Sequence, residues 1–138
     1  MVPVLVSHAS ADEPWAQWIA GSLRAAGHPA RLDPADRAFA RRLCAAPPGP
    51  DPVLLLLSAE HRATPADWTM LAQAPTLAGR LFAVRLDAGA APRALRPLPC
   101  RSLHGLDEEE ALEVLLALAG GIRRENFGDS GLRPTAEW

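Results

Sequence analysis

Three stretches of the chain place groups capable of chemistry directly after an apolar run. Ser7-His8-Ala9-Ser10 follows Val2 to Val6, Asp33-Pro34-Ala35-Asp36 follows Ala30-Arg31-Leu32, and Ser58 to Trp68 follows Val53 to Leu57. They include the hydroxyls of Ser7, Ser10 and Ser58, the imidazole of His8, and the carboxylates of Asp33, Asp36, Glu60 and Asp67. Hydroxyls and an imidazole can hydrogen-bond a ligand. A carboxylate can stabilise positive charge that develops during a reaction. Each residue also has a plainer use. Serine and aspartate end strands and cap helices, and a histidine in a loop can simply face solvent.

What would gather these stretches is a parallel sheet. Val53 to Leu57 is five apolar residues in a row, the pattern of a strand covered on both faces. Val2 to Val6, Ala30 to Leu32 and Leu81 to Leu86 read as further strands, with a short fifth near Arg101 to Leu103. Helical spacing separates them. Trp15, Trp18, Ile19 and Leu23 define an inward face that stops at Gly27, with Ser10 and Glu13 spaced as a capping box and Asp12 an equally good cap. Asp36 is placed to cap a second helix through Phe39, Leu43 and Cys44, which Pro47-Pro48-Gly49-Pro50 breaks. A third helix is expected over 66–74. The last opens at Asp107 with three glutamates, turns Leu112, Leu115, Leu116 and Ala119 inward, and stops at Gly120-Gly121. Strands alternating with helices predict a three-layer α/β fold of the flavodoxin-like type, a five-stranded parallel sheet in order 2-1-3-4-5 with helices on both faces. Ligands of such sheets sit beyond the carboxyl ends of the strands. The domain is expected to span 1–122, with 123–138 a tail or linker.

Composition narrows the chemistry. The chain has 138 residues and a net charge of −2, which gives no reason to expect nucleic acid or an anionic membrane as a partner. All fourteen basic residues are arginine. Without lysine, a lysine nucleophile, Schiff base or phosphate clamp is excluded. Cys44 and Cys100 make no disulfide framework, and Cys44 falls on an apolar helix face. His28, His61 and His104 share no metal-ligand spacing, so neither a metal nor a cofactor is expected. Met1 to Ser7 lacks a basic n-region, and no apolar run nears the roughly 18 residues of a membrane span. A cytoplasmic protein is the expectation.

The ordered set of motifs resembles a known family. Val4-Leu5-Val6-Ser7-His8-Ala9-Ser10-Ala11-Asp12, running into Trp15-Ala16-Gln17-Trp18-Ile19, is similar to the opening of bacterial Toll/interleukin-1 receptor (TIR) domains. There, a strand ends in Ser-aromatic-Ser-x-x-Asp before a helix bearing Trp-Ala-x-Trp-Ile. Val53 to Ser58 resembles the family's third strand with its terminal serine, and Pro65-Ala66-Asp67-Trp68 resembles its Pro-Glu-Trp. Phe82 to Leu86 and Leu103-His104-Gly105-Leu106-Asp107-Glu108 resemble two later blocks. The likeness covers about residues 2 to 122.

The resemblance implies either of two functions. One is cleavage of NAD at the nicotinamide–ribose bond, in an antiphage or signalling effector. The other is a non-catalytic interaction module that contacts other TIR domains or a sensor protein. Cleavage of that bond passes through an oxocarbenium-like state that a carboxylate can stabilise. The family's glutamate aligns here with Asp67, one methylene shorter, and a misplacement of about 1 Å can cost on the order of a hundredfold in rate. Asp67 is therefore the candidate catalytic residue, with a helix-cap role as its alternative and Glu60 as the nearby substitute. Ser7, His8, Ser10, Asp33 and Ser58 are the candidate NAD-contacting residues: the serines for ribose or phosphate, His8 for stacking on a base. The loop after the second strand is shorter than the family's, which weakens family-type assembly and leaves the pocket open. A phosphoacceptor receiver domain is excluded, because it needs an acidic pair after the first strand, an aspartate after the third and a lysine. A flavodoxin's phosphate loop and a nucleoside deoxyribosyltransferase match the motifs less well.

Overall fold

The computed structural model describes residues 3–45 and 52–127. The proline-rich break at 47–50 and the last part of the expected tail, 128–138, lie outside the described residues. Five parallel strands form one sheet in the order β2-β1-β3-β4-β5, as expected. They are β1 (Val4–His8), β2 (Ala30–Pro34), β3 (Val53–Leu57), β4 (Leu81–Arg85) and β5 (Cys100–Ser102). The helices are α1 (Glu13–Ala25), α2 (Phe39–Ala45), α3 (Pro65–Gln73) and α4 (Glu108–Phe127).

Alternation along the strands builds two cores. Val4, Val6, Leu54, Leu56, Phe82 and Val84 pack on the side of α1 and α4. Val53, Leu55, Leu57, Leu81 and Ala83 pack on the side of α2 and α3, with Phe39, Leu43, Trp68 and Leu71. All five residues of β3 are buried, which is why that run carries no polar residue.

The predicted end of α1 is a Schellman turn. The Gly27 N–H donates to the Arg24 carbonyl and the His28 N–H to the Leu23 carbonyl, at 3.0 and 2.8 Å, while Gly27 takes φ 92°. Only glycine adopts that φ without strain.

Other expectations need correction. The strand β1 runs on through Ser7 and His8, where the sequence predicts a loop. Ser7 pairs with Asp33 and His8 with Pro34, and the Ala35 N–H donates to the His8 carbonyl at 2.7 Å, so the ladder with β2 extends the strand. The Ser10–Glu13 capping box does not form. Ser10 to Asp12 make a 3₁₀ turn, no side chain caps α1, and the Glu13 carboxylate accepts from Gln17 instead. The inward face of α1 is Ala16, Ile19, Ala20 and Leu23, whereas Trp15 is 37% exposed. On α4, Leu115, Leu118 and Ala119 are buried, but Leu116 is exposed and Leu112 lies half-buried. Both corrections are rotations of about one position, small enough for an apolar count to miss. Finally, α4 does not stop at Gly120-Gly121 but continues to Phe127. Glycine costs roughly 1 kcal/mol in a helix interior, and it ends a helix only where it takes the left-handed C-terminal turn.

The corrected face of α4 predicts unequal costs for neighbouring leucines. Leu115→Ala should destabilise by about 2–5 kcal/mol. Leu116→Ala should stay within about 0.5 kcal/mol of the parent. Urea unfolding of the two variants checks this, and equal losses would contradict the assigned face.

Candidate functional site

The carboxyl edge of the sheet carries a cleft of about 540 Å³, lined by three loops. The turn after β1 supplies Ala9, Ser10 and Ala11, and the loop after β2 supplies Ala35, Asp36 and Arg37. The loop after β3 and the start of α3 supply Glu60, His61, Arg62, Ala63, Thr64 and Asp67, with Phe39 of α2 also on the wall.

Beneath it, a buried contact joins two of these loops. Asp12 is 8% exposed, and its carboxylate accepts a hydrogen bond from the Ser58 hydroxyl at 2.5 Å. The same hydroxyl oxygen accepts from the Glu60 N–H at 3.1 Å. Asp12 thus serves the sheet edge and not the helix it precedes. A third anchor comes from Asp87, just after β4, whose carboxylate accepts from the Ala59 and Gly89 N–H groups. Those two bonds hold its carboxyl below the usual carboxylate range.

The expected site residues divide into three groups. Ser10 and Asp67 line the cleft. Ser7, His8 and Ser58 lie below it: Ser7 and His8 are 0% and 1% exposed, and Ser58 is tied to Asp12. The His8 Nδ1 bonds the Ala9 carbonyl at 2.8 Å, and the buried Ser7 hydroxyl and His8 Nε2 have no partner among the described residues. Asp33 stands to one side, paired with Arg42 at 3.0 Å. Arg42 also reaches Asp36 at 2.9 Å, and that hydrogen bond holds the Asp36 carboxyl below its usual range.

Asp67 occupies the third position of α3 and closes a capping box. Its carboxylate accepts from the Thr64 N–H at 3.0 Å, and its own N–H donates to the Thr64 hydroxyl at 3.2 Å. The sequence signal for this box, a threonine three residues before an acid, sits at 64–67 and fits the same rule applied to Ser10.

His61 is the cleft residue that sequence reading passed over. Its ring lies 5.2 Å from Phe39 and 4.7 Å from Trp68, both buried, and Phe39 and Trp68 meet edge-on at 5.8 Å. Burial pushes its pKa down, more than the charges of Asp12 and Asp67 push it up. Its spacing to other ligand types excluded a metal, but nothing in the local sequence marked it as part of an aromatic pile. Two further grooves lie outside this cleft. One, of about 390 Å³, lies between α1 and α4 under the edge-on pair Trp15 and Trp18. The other lies between α3 and Pro92 to Pro97. Among the described residues no group of histidine, cysteine or acidic side chains could hold a metal, and no helix is long and apolar enough to cross a membrane.

The His61 shift has a sign. Its folded pKa lies below the unfolded value of about 6.5, so below that pH the unfolded chain binds a proton that the folded chain refuses. Its contribution to stability is intact above about pH 6.5 and falls away as pH drops toward the folded pKa. His61→Phe should therefore lose less melting temperature than the parent between pH 7 and pH 5. Parallel slopes for the two proteins would contradict the assignment.

The profile of the TIR domain matches residues 4–116. Among solved structures, a 3-dehydroquinate dehydratase-like protein from Bifidobacterium longum is similar in fold, with a TM-score of 0.60 and 16% identity. That match covers 88% of this chain and 98% of the other. At this identity the likeness is one of architecture. No curated protein matches the chain. The profile match spans the sheet and all three cleft loops, and by it the chain belongs to the TIR domain family.

Proposed function

We propose that this TIR domain binds NAD in the carboxyl-edge cleft and cleaves its nicotinamide–ribose bond slowly, as a signalling effector. Membership in the family already makes the chain a signalling or immune module in general, of a kind that typically contacts other TIR domains. The observation that carries the finer reading is the position of Asp67. Its carboxylate lines the same cleft as Ser10, Arg37 and Arg62, at the edge of the sheet where such folds take ligands. A carboxylate there can stabilise the oxocarbenium-like state at the ribose carbon. Two features argue for a low rate. Aspartate is one methylene shorter than glutamate, and one of its oxygens already accepts from the Thr64 N–H.

That same bond favours a second reading, a non-catalytic interaction module in which Asp67 only closes the capping box. Variants separate the two. Under the catalytic reading, Asp67→Glu should raise nicotinamide release and Asp67→Ala should abolish it. Asp67→Ala should also cost about 1 kcal/mol through the lost cap. Thr64→Val should show a similar stability loss yet keep turnover, because the carboxylate remains. Under the interaction reading, nicotinamide release stays at background in all four proteins while the melting temperatures shift as described. An active parent whose rate survives Asp67→Ala would move the assignment to Glu60.

Assembly follows from the loop after β2. Only four residues, 35–38, separate Pro34 from Phe39, and Arg42 ties Asp36 of that loop back to its own chain. The isolated domain should be monomeric or weakly dimeric in dilute solution. Light scattering checks this, and ordered filaments formed without a partner would contradict it.

A further inference from the structure

We propose that His61 is a specificity-determining residue of the cleft, donating its Nε2–H to an acceptor oxygen of the bound nucleotide. The inference rests on the reading of the cleft as an NAD site. Its own support is geometric. The Ala63 N–H donates to the His61 Nδ1 at 3.3 Å. In the neutral ring an accepting Nδ1 leaves the proton on Nε2. No protein group takes that proton among the described residues. Nor is the Nε2 of His61 one of the buried atoms without a partner, which are the Ser7 hydroxyl and the His8 Nε2. It therefore keeps contact with solvent, and the space this residue lines is the cleft. Phe39 and Trp68 pack on the ring and fix its tilt, so the donor is set before a ligand arrives.

Burial keeps the ring a neutral donor against the negative charge of Asp12 and Asp67, and His8 acts in the same direction as burial; Asp36, Arg37, Glu60 and Arg62 line the same cleft. The protonated Nε2 of a neutral ring can take no proton from the sugar; it donates to a hydroxyl, carbonyl or phosphate oxygen, most strongly to the charged phosphate. A doubly protonated ring would turn an N–H toward the Ala63 N–H, two donors face to face, and the loop would have to let go.

The test compares NAD binding by calorimetry at pH 7.5 to the parent, His61→Phe and His61→Gln, with the melting temperature of each. Phenylalanine keeps the aromatic pile and removes the donor; glutamine keeps a donor at a similar reach and removes the ring. His61→Phe should bind about tenfold more weakly with its fold intact, and His61→Gln should recover part of that loss. Histidine ring nitrogen NMR should show the Nε2–H tautomer in the free parent and a shift of Nε2 when NAD is added. A parent that binds NAD with the same affinity as His61→Phe overturns the inference and leaves the cleft assignment standing. A free parent in the Nδ1–H tautomer overturns it as well. A parent that binds no NAD overturns the cleft assignment, and the inference with it.

Discussion

A single hydrogen bond, from the Ser58 hydroxyl to the Asp12 carboxylate, sets the shape of the carboxyl edge. A carboxylate 8% exposed is costly to bury unless its oxygens are met. Meeting one of them with Ser58 forces the turn after β1 and the loop after β3 to lie side by side. The cleft is the space left above them. Its floor is then fixed from the other direction by Asp87, which holds the Ala59 N–H. The third wall is held by Arg42, which draws Asp33 and Asp36 toward α2. The charge of Asp33 is in this way committed to the frame, while Asp36, Arg37, Glu60, Arg62 and Asp67 line the cleft.

The polar groups beneath the cleft are a different matter from those within it. Ser7 and His8 end a strand that pairs on both sides, and their side chains are buried. The residues that face solvent come from the loops and from the first turn of α3. An α/β sheet of this kind separates the two roles by depth: strand ends build the platform, and loops supply the chemistry.

How much of this could be read from the sequence follows from the same separation. Strand order and the edge that carries the cleft were legible, because the apolar run of β3 and the alternation with helices leave few topologies open. Ser10 and Asp67 line the cleft because they lie in loops flanking strands. Ser7 and His8 were placed at the right edge and the wrong depth, since a strand's last paired residues depend on its neighbour's ladder and not on its own composition. The faces of α1 and α4 were turned slightly, because tryptophan and leucine are as apolar on a groove rim as in a core. His61 was missed for a plain reason: its partners Phe39 and Trp68 come from separate elements, and no local pattern announces their meeting. The continuation of α4 past Gly120-Gly121 shows the limit of a propensity rule in a helix whose preceding turns are anchored by Leu115, Leu118 and Ala119.

The capping box at Thr64 and Asp67 bears on how substitution at this position is constrained. A residue that serves a helix end is retained for stability whether or not the cleft is active, so an acid at 67 is a poor witness to catalysis across descendants of this chain. Glutamate is the natural partner of threonine in such a box, and a drift from aspartate to glutamate would leave the helix end satisfied throughout. An exchange between the two acids is then a single step that leaves the helix end capped in either direction.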